Sequence, residues 1–214
     1  MYNNKSILSD TAEILIDIGC VNFDIEKKFK LTSGKYSPVY CDCRKIISFP
    51  KQREILMDFS VKLIKSQKYF KKIDVIAGGE TAGIPFASII ATKLNLPLIY
   101  IRKEQKSFGK RKKIEGNVLP NSNVLLVEDL LTDGGSKKHF FNSLKEEKLN
   151  LVSTFVIFNY GIFNKKIKLD GFSSKLIFLT DWKSVLDTTK SKKILLDKEI
   201  NFIKTFLKKF GVKN

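Results

Sequence analysis

VLLVEDLLTDGGS, residues 124–136, decides how the rest of the chain is read. Val124 to Val127 form an apolar run of the kind needed by a strand covered on both faces. The run ends on two carboxylates, Glu128 and Asp129. Thr132-Asp133-Gly134-Gly135-Ser136 then opens a helix. Glycines there let backbone N–H groups turn towards an anion, and a helix start adds about half a positive charge. Phosphate is expected on this loop, with Thr132 and Ser136 as hydroxyl donors. Sugar hydroxyls or a hydrated Mg²⁺ are expected at Glu128 and Asp129. No Gly-Lys-Ser/Thr follows and the spacing is not G-x-G-x-x-G, so neither the Walker nor the dinucleotide pattern applies.

Working outward, IDVIAGG (73–79), LPLIYIR (96–102), STFVIFNY (153–160) and KLIFL (175–179) read as further strands. TAGIPFASIIATKL (81–94) and the segment after Gly135 read as helices between them. Strands alternating with helices over short connections indicate an α/β fold with a mainly parallel central sheet flanked by helices. Ligands of such sheets bind beyond the carboxyl ends of the strands. IAGGETAGIP (76–85) is a second such end, with glycines and a helix start that suit another phosphate. Upstream, residues 9–20 read as a helix capped by Ser9 or Asp10, and 50–70 carry apolar residues at helical spacing. FKLTSGKYSPVYCDCRKI alternates around Ser33-Gly34 and predicts a small β hood. At the other end, Ile200, Ile203, Leu207 and Phe210 fall on one side of a C-terminal helix. The chain is expected to be one domain over 1–214: helices and hood in 1–70, an α/β core in 71–189 and the terminal helix in 190–214. One connection is long. Residues 103–119 are polar, lysine-dense and set between core strands, and long loops in compact domains are usually functional.

At 214 residues with 43% hydrophobic and 29% charged side chains, the chain can bury a core without disulfide or metal staples. No apolar run is long enough to span a bilayer and the N-terminus lacks a secretion pattern, so a cytoplasmic protein is expected. Cys20, Cys41 and Cys43 contain no CxxC pair, and Cys41 and Cys43 are expected as reduced, core-facing thiols. The net charge is +17, yet only Arg44, Arg53, Arg102 and Arg111 are arginines, and lysine is scattered along the whole chain. That distribution argues for a solvated surface rather than a nucleic-acid partner, though it would attract a polyanionic small substrate.

The 124–136 string resembles the phosphoribosyl pyrophosphate (PRPP) motif of the type I phosphoribosyltransferases. With KLTSGKYSPVYCDCR (30–44), GIPFA (83–87) and IRKEQKSFGKRKKIEG (101–116) in the same order, the chain is similar to the orotate phosphoribosyltransferases of that family over roughly 30–189. The resemblance implies the type I phosphoribosyltransferase fold and conversion of orotate and PRPP to orotidine 5′-monophosphate and pyrophosphate, with Mg²⁺. It also implies a homodimer with shared active sites. It places PRPP on Arg102, Lys103, Lys106, Thr81, Ala82, Glu128, Asp129, Leu130, Leu131, Thr132, Asp133, Gly134, Gly135 and Ser136. Lys106, Asp129 and Glu128 are the implied catalytic residues. Mg²⁺ would be held mainly by substrate, near Glu128 and Asp129. Orotate would meet Ser33, Gly34, Tyr40, Thr132 and Tyr160. Three departures from the family pattern, Thr32, Phe108 and Asn159-Tyr160, leave the partners of the orotate carboxylate unassigned. The alternatives are the same chemistry on another base, or a PRPP-sensing or RNA-binding regulator on the same fold.

Overall fold

The computed structural model describes residues 4–26, 28–30, 34, 36–104, 113–169 and 171–213, with backbone alone at 4, 5 and 136. In chain order the elements are α1 (Asn4–Asp17), β1 (Val21–Phe23), β2 (Phe29–Lys30), β3 (Tyr36–Ser37), β4 (Val39–Cys41), α2 (Pro50–Lys65), β5 (Val75–Gly79), α3 (Gly83–Leu94), β6 (Leu98–Ile101) and β7 (Ile114–Glu115). There follow β8 (Asn123–Leu131), α4 (Gly135–Glu146), β9 (Asn150–Asn159), β10 (Lys166–Leu169), β11 (Phe172–Asp181), α5 (Trp182–Ser191) and α6 (Asp197–Lys209).

Among the described residues, seven strands form one sheet in the order β10-β11-β9-β8-β5-β6-β7. The five inner strands are parallel to their neighbours, and the two edges, β10 and β7, are antiparallel. The parallel strands are apolar runs because both faces are covered. Leu125 and Val127 pack on one side with Phe155, Ile177 and residues of α1, α2 and α3. Val124 and Leu126 pack on the other with Phe140, Phe141 and Leu144 of α4. From β5 the chain moves outward to β6, whereas β8 pairs with the other side of β5. The strand order therefore reverses between β5 and β8, which opens a crevice at their carboxyl ends.

Antiparallel pairing of β2 with β3 and of β1 with β4 gives the expected hood. Pro50 opens α2, where a missing N–H costs nothing. The first helix differs from expectation: α1 runs through Ser9 and Asp10 rather than starting there, and the Ser9 hydroxyl donates to the Ser6 carbonyl inside the helix. Its end is set by Gly19 at φ 66°, which lets the Cys20 N–H reach back to Leu15. The edge strands β7 and β10 were not expected. Cys20, Cys41 and Cys43 are free and buried, with Cys41 and Cys43 sulfurs 3.6 Å apart. No described helix is long and apolar enough to cross a membrane.

Candidate active site

The crevice between β5 and β8 widens into a cavity of about 560 Å³. One wall is the β8 tip and its loop: Glu128, Asp129, Leu130, Thr132, Asp133 and Gly134. Facing them is the turn after β5, with Glu80, Thr81 and Ala82; Lys103 stands beside it at the start of the long connection. The hood supplies Lys30, Tyr40, Asp42 and Arg44, while Tyr160 and Phe210 close the far side. Sequence-distant segments thus meet where the strand reversal predicts.

The two acids differ in setting. Glu128 is buried and ion-paired to Lys137 in the first turn of α4, itself only 3% exposed. Among the described residues its other oxygen, Oε1, has no hydrogen-bond partner. It lies where side chains at Gly79 and Gly83 would be: a Cβ on Gly83 would stand 2.6 Å from it. Burial pushes the Glu128 carboxyl up to about 7, against the opposing pull of Lys137. Asp129 is only partly buried; burial also raises its carboxyl, with Lys137, backbone N–H groups and Arg44 pulling the other way.

The loop beyond them is built on Gly134, at φ 84°, a conformation costly for any other residue there; a Cβ would also press on Leu169. Asp133 folds back so that its Oδ1 accepts the Gly135 N–H at 3.1 Å. An anion already sits at this helix start, and it belongs to the chain. Across the cavity, Glu80 Oε2 accepts the Lys103 N–H at 2.7 Å, and the Glu80 N–H donates to Ile101. These bonds tie the β5 turn to the root of the long connection. The Glu80–Thr81 peptide is cis.

Of the residues singled out from the sequence, Thr81, Ala82, Lys103, Glu128, Asp129, Leu130, Thr132, Asp133, Gly134, Tyr40 and Tyr160 line the cavity. Arg102 and Leu131 do not. The Arg102 guanidinium turns to Glu115 at 3.7 Å and the Glu104 carbonyl, and Leu131 is fully buried in the core on the α4 side. Leu131 instead fills the core beneath α4 with Phe140, Phe141 and Leu144. Gly135 contributes the amide held by Asp133, and Gly34 is exposed in the hood at φ 80°. Ser33 and Lys106 lie outside the described residues, as does the Ser136 side chain.

Reasoning on sequence missed Lys30, Arg44, Glu80 and Lys137. The first two sit in a segment singled out for other residues, and their charge was read as surface. Arg44 is held by Asp42, whose Oδ1 accepts from Nε at 2.6 Å, and it lies 3.4 Å from the Tyr40 hydroxyl. His139 is half-buried, with Nε2 2.9 Å from the Arg102 carbonyl, a packing position rather than a cavity one.

The phosphoribosyl transferase domain family matches residues 49–189. The orotate phosphoribosyltransferase of Rhizobium johnstonii is 41% identical over 207 residues, covering 96% of this chain and 90% of that protein. Among solved structures, Leishmania donovani UMP synthase superposes with a TM-score of 0.78 at 26% identity, covering 94% of this chain and 42% of that one. The orotate phosphoribosyltransferase from Aeropyrum pernix gives a TM-score of 0.69 at 22% identity, over 84% of this chain and 98% of that one, which supports the fold.

Proposed function

The chain belongs to the phosphoribosyl transferase domain family, and within it to the orotate phosphoribosyltransferases; from that premise we propose how its cavity moves the ribose 5-phosphate of PRPP onto orotate, releasing pyrophosphate and giving orotidine 5′-monophosphate. One observation carries the reading: the acidic tip of β8, its glycine loop and the turn after β5 face one another across a single cavity.

The 5′-phosphate sits on Thr132 to Gly135, competing with Asp133 for the Gly135 N–H. The pyrophosphate lies across the cavity against Thr81, Ala82 and Lys103 at the start of α3. Between these anchors the ribose spans the tip, where Asp129 and Glu128 line the cavity and their carboxylates face its hydroxyls. As the C–O bond to pyrophosphate breaks, the C–N bond to orotate forms and the proton on that orotate nitrogen passes to the departing pyrophosphate. In the transition state positive charge grows on the sugar and negative charge on the leaving group. Fixed carboxylates beside the first and Lys103 beside the second lower the barrier without reorganising. Lys106 adds a further cation from the connection; its replacement by alanine is expected to lower kcat more than it raises the PRPP KM.

The donor set suits Mg²⁺. Among the described residues no cluster of three ligating side chains forms a cage, but one or two carboxylates beside substrate phosphates are what Mg²⁺ commonly uses. Asp129, with Glu128 close by, would hold it; when bound, the ion neutralises the diphosphate and eases its departure. A homodimer with shared sites and a cytoplasmic setting belong to the same proposal.

Orotate enters from the hood side, where Lys30 and Arg44 offer positive charge to its carboxylate and Tyr160 and Tyr40 flank the ring. Arg44→Ala is expected to raise the orotate KM about tenfold, the order of one charge-assisted contact, while the PRPP KM stays within about twofold. Unchanged orotate KM would move the carboxylate contact elsewhere. The function itself is tested by offering orotate, adenine, hypoxanthine and uracil in turn, each with PRPP and Mg²⁺. Turnover is expected with orotate, and a blank there overturns the assignment.

A further inference from the structure

We propose that Phe210, on the turn that ends α6, is a specificity-determining residue for the base: its ring is an apolar wall for the flat pyrimidine and selects against a puckered ring of the same charge. The inference deepens the reading that orotate occupies the hood end of the cavity, and rests on it.

Contacts at both ends of α6 bring this residue, near the end of the chain, to the base end of the cavity. Lys28 of the hood holds its ammonium 5.9 Å from the centre of the Phe202 ring, two residues before Lys30 on the cavity wall. One turn beyond Phe202, Phe206 stacks on Phe210, with ring centres 6.1 Å apart and planes at 20°. Gly211, at φ 91°, then turns the chain. Val212 packs on Gly161, where a Cβ would stand 3.0 Å from Val212 Cγ1, and the Lys213 N–H donates to the Gly161 carbonyl at 2.9 Å. Gly161 follows Tyr160, so the terminal turn is pinned beside the tyrosine that flanks the ring. Phe210 thus borders the cavity with Lys30, Tyr40 and Tyr160. The core takes Ile200, Ile203 and Leu207 of α6 almost completely but Phe210 only in part. The part it leaves is an aromatic surface on the wall. Such a surface meets a flat ring across its whole area, whereas a ring with two saturated carbons departs from the plane and forfeits part of the contact. Lys30 and Arg44 cannot make that distinction, because the carboxylate is the same on both rings.

The test uses the full chain with orotate as substrate and 5,6-dihydroorotate, the same carboxylate on a puckered ring, as competitive inhibitor. Wild type is expected to hold the dihydro compound more weakly than orotate. Phe210→Ala should raise the orotate KM about 5- to 20-fold, within the range for removing an aromatic partner from a stacked base. It should also narrow the gap between the two compounds by at least about threefold, since selectivity is a ratio of affinities. The PRPP KM should stay within about twofold of wild type. Phe210→Tyr, which keeps the ring, should recover most of the orotate affinity, and Phe210→Leu, which keeps apolar bulk without a flat face, should not. The inference is overturned by a wild type that holds both compounds equally, by an unchanged gap in Phe210→Ala, or by full recovery with leucine. A PRPP KM that rises as far as the orotate KM would overturn it too, since it would mark general damage to the fold. Should Phe210→Ala not fold, Phe210→Leu against Phe210→Tyr decides: a narrower gap with leucine supports the role and equal gaps refute it. Wild-type turnover of orotate is measured first. Its absence removes the assigned reaction, whereas normal turnover with an unmoved gap removes only this role of Phe210.

Discussion

Asp129→Asn is expected to lower orotate turnover by about 100- to 1,000-fold, the loss typical of removing one preorganised electrostatic group from a transition state, with little change in melting temperature. The side chain is partly exposed at the end of β8, and the charge of Arg44 reaches it across the cavity without an ion pair between them. Asparagine keeps the size and hydrogen-bonding reach, so the fold loses almost nothing. The negative charge is what disappears, and that charge is what a positive sugar and a substrate-held Mg²⁺ would use. The loss should appear mainly in kcat, because the ground-state ribose can still be hydrogen-bonded by the amide. A variant at near-normal rate would remove Asp129 from the ribose. A variant that melts well below wild type would show that the residue serves the fold instead.

The legibility of this site in the sequence follows from chain proximity. Residues 124–136 show a strand, two acids and a glycine loop in one string, and all three features occur together in the structure. The parallel sheet was readable because strands covered on both faces must be apolar throughout, as Val124 to Val127 and Phe155 to Phe158 are. What stayed hidden depends on contacts that no periodicity records. Lys137 follows Glu128 by nine residues across a turn, and a lysine in a lysine-rich chain looks like surface until its burial is known. Ile114 and Glu115 form an edge strand of two residues inside a polar connection, too short for any alternation to show. Arg44 faces the cavity because the 3-10 turn from Cys43 to Ser48 follows β4, and the alternating strand pattern gives no hint of that change in direction.

The glycines before and in the second turn illustrate a different limit. From sequence, the Gly78-Gly79 pair suggested room for a phosphate to approach the backbone. In the fold, that space is already taken by protein. A Cβ on Gly78 would lie 2.9 Å from the Ile84 Cα, and one on Gly79 would press on the Glu128 carboxylate and stand 2.6 Å from Phe140. These glycines seat α3 against the sheet and make the slot that Glu128 fills.

Gly83→Ala is therefore expected to be among the most damaging single methyl additions near the site. Its Cβ would fall far inside contact with the Val127 carbonyl oxygen and 2.6 Å from Glu128 Oε1. The carbonyl belongs to a central strand paired on both sides, so it cannot move away without disturbing β5 and β9. Overpacking of this kind costs about 1–3 kcal/mol, which for a chain of this length corresponds to a fall in melting temperature of about 3–10 °C. The remaining strain is relieved by the softer neighbour, the Glu128 side chain, and PRPP-dependent turnover should drop by at least about tenfold as that carboxylate is pushed off the ribose. Gly79→Ala gives the comparison. Its Cβ meets side-chain atoms of Glu128 and Phe140, which can yield, so melting should change less while turnover suffers as much. Equal melting losses for the two variants would mean that the backbone contact at Val127 is not what limits Gly83. Normal activity in both would mean that the seating of Glu128 between the two glycines has no bearing on the reaction.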